Sequence, residues 1–142
     1  MTKVVKTKWT GGLGFDALIN GHHLVMDVAQ ENGGEDAGPR PKPLLLAALT
    51  GCSGMDIVSI LKKMQVKDYS FEMEADGEAV DEHPMMYHTI TVKFMFHGEN
   101  LPQDKIIKAV NLSTEKYCAV NAMLKETAKV IAKIFINDTE VQ

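Results

Sequence analysis

Cys52, Cys118 and Arg40 are the residues whose types and settings point to chemistry in this chain. Cysteine attacks as a thiolate, and an ordinary thiol, with a pKa of about 8.5, is only a few per cent ionised at pH 7. Cys118 stands at the start of a short helix-forming run, where unpaired N–H groups and the helix dipole favour a thiolate. Cys52 lies more than two turns inside a longer helical run, so the dipole helps it little and a cation must do that work. Arg40 is the one arginine in a chain that otherwise uses lysine, and it stands just ahead of that run with a side chain long enough to reach back into a cleft. The plainer readings are a buried cysteine acting as a small hydrophobe and a solvated loop arginine.

Other chemistries fall away. Cys52 and Cys118 are 66 positions apart, and His22, His23, His83, His88 and His97 lack ligand spacing, so no metal site is expected. There is no P-loop and no serine elbow, and Gly11-Gly12-Leu13-Gly14 lacks the strand–helix setting of a nucleotide fingerprint, so no cofactor is expected either. The net charge of -4, without a clustered basic stripe, argues against nucleic acid or an anionic membrane as partner. The N-terminal residues alternate polar and apolar without an apolar signal core, which predicts a cytoplasmic protein. Two cysteines in that compartment are expected as free thiols.

The elements that position these residues follow from periodicity. From Arg40 to Met64 the only charge between Lys42 and Lys62 is Asp56, which predicts a helix starting at Pro41 or Pro43, apolar nearly all round and surrounded by protein. Its apolar run is shorter than a bilayer requires and is interrupted by Thr50, Gly51, Ser53, Gly54 and Asp56. Ala47, Gly51 and Gly54 recur at i, i+4 and i+7, a seam that lets another backbone approach, the same helix of a second subunit being one candidate. Ahead of it, residues 3–9, 13–19 and 22–28 read as a three-strand meander turning at Gly11-Gly12 and Asn20-Gly21, followed by a polar loop over 29–39. After it come strands over 67–80 and 85–97, a helix from Leu101 to about Tyr117, a short helix over 119–127 and a strand over 130–136. Strands and helices come in blocks, so the class is α+β, in one domain spanning 1–142.

The run Pro41-x-x-Leu44-Leu45-Leu46-Ala47-Ala48-Leu49-x-Gly51-Cys52, with Tyr117-Cys118-x-Val120 later, resembles the OsmC/Ohr family of osmotically induced and organic-hydroperoxide-resistance proteins. The resemblance covers nearly the whole chain and implies an intertwined homodimer with long cysteine-bearing central helices packed between β-sheets. It implies a thiol-dependent peroxidase that reduces organic hydroperoxides, with Cys52 peroxidatic, Cys118 resolving through an intramolecular disulfide, Arg40 as the cation and a cellular dithiol as reductant. Leu45, Leu49 and Met55 would favour organic peroxides over hydrogen peroxide. Where the active peroxidases carry a glutamate that holds the arginine, this sequence has Lys42, followed by Pro43. Glu31, Glu35 and Asp36 are the loop acids that remain to orient Arg40. Asp56, one turn beyond Cys52, either faces the sulfur and raises its pKa or is bonded to Ser59 or a backbone group. The alternative to a peroxidase is a dimeric binding or redox-sensing protein of the same fold, which the absent glutamate favours.

Overall fold

Alternating polar and apolar residues near the N-terminus form three antiparallel strands in the computed structural model, which describes every residue from Met1 to Gln142. These strands are β1 (Lys6–Gly11), β2 (Gly14–Ile19) and β3 (His22–Met26), in spatial order β1-β2-β3. The first turn falls on Gly12 and Leu13, one residue later than the Gly-Gly pair predicts, because Gly11 (φ +105°) still pairs with Gly14; Asn20 and Gly21 make the second at φ 51° and 81°, as the Asn-Gly pair predicts. β3 stops two residues short of the expected end because Asp27 turns inward. Its buried carboxylate accepts the N–H groups of Val28 (2.8 Å), Glu35 (3.1 Å) and Ala37 (3.2 Å), pinning the loop that follows. Those bonds hold the Asp27 carboxyl below the usual carboxylate range, with a smaller contribution from the Arg40 charge. The polar loop read from the sequence is thus tied down by one side chain.

The chain divides into two compact units, Met1–Leu45 and Leu46–Gln142. Helix α1 (Pro41–Lys63) begins at Pro41, where the missing N–H costs nothing, and ends on Lys62 and Lys63, whose charges suit the C-terminal dipole. In the second unit, β4 (Ser70–Ala79) and β5 (Tyr87–His97) form an antiparallel hairpin. Helices α2 (Gln103–Leu112) and α3 (Ala119–Leu124) cross over to β6 (Lys129–Ile136), which is parallel to β5, and β7 (Thr139–Glu140) closes the order β4-β5-β6-β7. On β5 the alternation holds, with Ile90, Val92, Phe94 and Phe96 all buried. They pack with Leu49, Ile57 and Leu61 of α1 and with Ile106, Ala109 and Val110 of α2 in one core. Each such fully buried aliphatic or aromatic side chain contributes roughly 1.5–3 kcal/mol.

Two expectations for α1 are corrected. Only Leu49, Ser53, Gly54, Ile57 and Leu61 are buried, so the helix is covered on one side and not all round. Gly51, Met55 and Val58 lie on the opposite side; Met55 is 77% exposed, and a Cβ built on Gly51 meets nothing within 4 Å. Gly54, by contrast, faces the end of Met73 from β4, so the small-residue seam is divided between a filled and an open side. By length and composition alone α1 is long enough and apolar enough to cross a membrane, a test that a core helix passes as well. The α2 helix ends earlier than expected, at Leu112, and widens into a π-turn over Ser113–Tyr117, in which Cys118 N–H bonds to Ser113 O at 2.8 Å.

Candidate functional site

The π-turn carries the chain from α2 to the Cys118 end of α3 and turns Ser113 inward. Cys52 and Asp56 are one turn apart on α1 and share one of its edges. The Cys52 and Cys118 Sγ atoms and an Asp56 carboxylate oxygen all lie within 4.8 Å of one another. Both sulfurs are free thiols; Cys52 is half-buried and Cys118 only 3% exposed. Residues 66 positions apart thus meet at one place.

Three further polar residues fix this cluster. Ser53 Oγ donates to Cys118 Sγ at 3.3 Å, and the Asn121 backbone N–H donates to the same sulfur at 3.3 Å. Ser113 Oγ shares its proton between the Ser53 carbonyl (3.3 Å) and Asp56 Oδ2 (3.2 Å). Ser53, Ser113 and Asn121 are buried polar side chains, and none was singled out from sequence. The available signal was Ser53 itself, a hydroxyl beside Cys52 on the side of an apolar helix that a sheet must cover.

The setting of Cys118 corrects one expectation. It does cap α3 and accept the Asn121 N–H, as a thiol at a helix start should. Burial nevertheless pushes the Cys118 thiol up, an effect that the bonds from Ser53 and Asn121 only partly offset and that the neighbouring Cys52 thiol reinforces. Burial thus works against a Cys118 thiolate.

Asp56 faces the sulfurs and bonds to Ser113, not to Ser59 or a backbone group. Beside it is a cavity of about 140 Å³ lined by Asp56, Ser59, Ile60, Lys63 and Tyr117. Arg40 belongs to the N-terminal unit, where its guanidinium pairs with Asp36 and donates to Gly38 O at 3.3 Å. Of the three loop acids available to orient it, Asp36 is the one that does.

A four-stranded sheet carrying a cysteine helix, with a second cysteine brought to that helix by a turn, defines the class. The sequence model described as OsmC-like protein matches residues 33–133, and the chain belongs to that family. Among its relatives is the Protein YhfA of Escherichia coli K12, 35% identical over 126 residues that span 88% of this chain and 91% of that one. A hypothetical protein from Aquifex aeolicus VF5 superposes with a TM-score of 0.84 at 28% identity, over 96% of this chain and 97% of the other. The organic hydroperoxide resistance protein OhrB of Bacillus subtilis shares the fold, with a TM-score of 0.62 at 20% identity over 94% and 98% of the two chains.

Proposed function

We propose that this protein is a thiol-dependent peroxidase that reduces organic hydroperoxides, acting as a homodimer in the cytoplasm and folding as one OsmC-like domain. The observation that carries the reading is the convergence of Cys52 and Cys118 within one cluster in an OsmC-like chain whose fold an organic hydroperoxide resistance protein shares. The half-buried Cys52 is the attacking sulfur and the buried Cys118, whose thiol burial pushes up, the one that resolves it.

The Cys52 thiolate attacks the terminal oxygen of R–OOH; the O–O bond breaks, the alkoxide takes a proton and leaves as the alcohol, and Cys52 becomes a sulfenic acid. The Cys118 thiol gives up its proton and its sulfur attacks the Cys52 sulfur. An S–S bond forms and the hydroxyl departs as water. A cellular dithiol then exchanges with the disulfide and restores both thiols. Arg40 is the cation assigned to the thiolate and the leaving oxygen, and no cofactor enters the cycle.

The homodimer is supported by the bare side of α1, where Gly51, Met55, Val58, Ser59 and Lys62, with the buried Gly54 at their edge and Phe71 and Met73 of β4 beside it, line an open groove of about 590 Å³. An apolar helix face of this kind requires a cover, and a second copy of the same helix presents a complementary one. One observation favours the second reading, a dimeric binding or redox-sensing protein: the ionisable group beside the sulfurs is the Asp56 carboxylate, which opposes a thiolate, while Arg40 is engaged by Asp36.

Stopped-flow oxidation of the reduced protein by an alkyl hydroperoxide and by hydrogen peroxide separates the two. The peroxidase reading expects fast, alkyl-selective oxidation that is lost with Cys52→Ser and reduced with Arg40→Ala. Oxidation no faster than that of a free thiol contradicts it and leaves the binding or sensing reading.

A further inference from the structure

We propose that reduced Cys52, Asp56 and Cys118 form a binding site for a thiophilic divalent cation of the zinc class. Two sulfurs and a carboxylate oxygen within 4.8 Å of one another are a borderline-soft donor set. In a tetrahedral zinc site, with Zn–S at about 2.3 Å and Zn–O at about 2.0–2.2 Å, ligand atoms stand roughly 3.5–3.8 Å apart. Closing the observed triangle therefore takes movements of about 1 Å or less, within reach of rotation at the half-buried Cys52 and Asp56 side chains.

The surroundings are those of a supported ligand set. Cys118 Sγ already accepts from Ser53 Oγ and from the Asn121 N–H, and Asp56 Oδ2 accepts from Ser113 Oγ. Hydrogen bonds of this kind orient metal ligands and stabilise their charged forms. A cavity of about 140 Å³ borders Asp56 but neither cysteine, and has room for a water, about 30 Å³ in the liquid, on the carboxylate side of the cluster. Two thiolates and a carboxylate around a dication leave a single negative charge, and Lys63 lines the same cavity. Three protein ligands with one open position make an exchangeable site, not a closed structural one. Sequence spacing hides the site, because its ligands come from α1 and from the far side of the α2 crossover.

This inference goes beyond the peroxidase reading and does not depend on it, since binding requires neither a peroxide nor a disulfide. The test is an anaerobic titration of the reduced full-length chain with Co²⁺, followed by displacement with Zn²⁺. The expected result is one Co²⁺ per chain with thiolate-to-cobalt charge-transfer and four-coordinate visible bands, both bleached by Zn²⁺. Cys52→Ser and Cys118→Ser, with circular dichroism unchanged, lose the charge-transfer band expected for the pair. Asp56→Asn and Ser113→Ala each weaken binding by about tenfold or more. In the unaltered protein, Zn²⁺ slows alkylation of Cys52 by iodoacetamide, which keeps the test decisive if a variant fails to fold. The proposal is overturned by cobalt bands without thiolate character, by bands that persist in Cys52→Ser, by wild-type affinity in Asp56→Asn, or by alkylation indifferent to Zn²⁺.

Discussion

The two units of this chain handle apolar surface in opposite ways. Leu46–Gln142 gathers Leu49, Ile57, Leu61, Ile90, Phe94, Phe96, Ile106 and Ile134 into one buried cluster. Met1–Leu45 buries only Gly14, Ala17 and Asp27 and leaves Trp9, Phe15, Leu18 and Val25 exposed, Trp9 at 62%. Its strands are fixed by ladder bonds, by glycine turns and by the Asp27 carboxylate, not by a core of their own. A small sheet with an uncovered apolar face is a poor independent fold. The contrast teaches that the C-terminal unit holds the buried core and the thiol cluster, while the N-terminal sheet and the bare side of α1 leave apolar surface exposed, the surface on which the proposed homodimer would draw.

Three variants break or sharpen that contrast. Phe94→Ala, in the C-terminal core, is expected to cost about 3–5 kcal/mol in denaturant unfolding at any protein concentration. Phe15→Ala on the N-terminal sheet is expected to cost under about 0.5 kcal/mol at low concentration and more as the concentration rises, if assembly covers that face. Met55→Arg falls between these two: it leaves the core untouched but places a charge on the bare side of α1, and is expected to weaken self-association by about 2 kcal/mol or more in sedimentation experiments. A chain that sediments as a monomer with or without the arginine would remove the dimer from the account.

The smallest effect concerns pH. Because the folded-state pKa of Cys118 is raised, the native protein keeps that proton where the unfolded chain loses it. The associated stability is fully present below about pH 8.5 and is lost as pH rises from there through the folded value. Unfolding midpoints measured across that range should fall with pH, and fall less steeply in Cys118→Ser. Equal slopes would mean that folding does not raise the Cys118 thiol.

Much of this was legible in the sequence, because alternation and helical spacing are local. Ile90, Val92, Phe94 and Phe96 announced the buried face of β5, Asn20-Gly21 the hairpin, and Pro41 with Lys62-Lys63 the limits of α1. The cysteine pair was legible only through the family resemblance, since nothing in the spacing of Cys52 and Cys118 places them together. The π-turn escaped because Ser113–Tyr117 continues the helical pattern of α2, and a one-residue widening leaves no mark on that spacing. The inward roles of Ser53, Ser113, Asp27 and Asn121 escaped because a polar residue shows its partner only after folding. The exposed side of α1 escaped for a different reason. Apolar composition states that a face must be covered, without stating that the same chain covers it.

The most direct test is a single turnover followed by intact-mass and peptide mapping. Reduced protein is mixed with one equivalent of an alkyl hydroperoxide, with dimedone present to trap sulfenic acid. The account predicts a Cys52–Cys118 disulfide in the unaltered chain, a dimedone adduct on Cys52 in Cys118→Ser, and no fast oxidation in Cys52→Ser. A first adduct on Cys118, or a chain that consumes no peroxide while both thiols stay free, would contradict it.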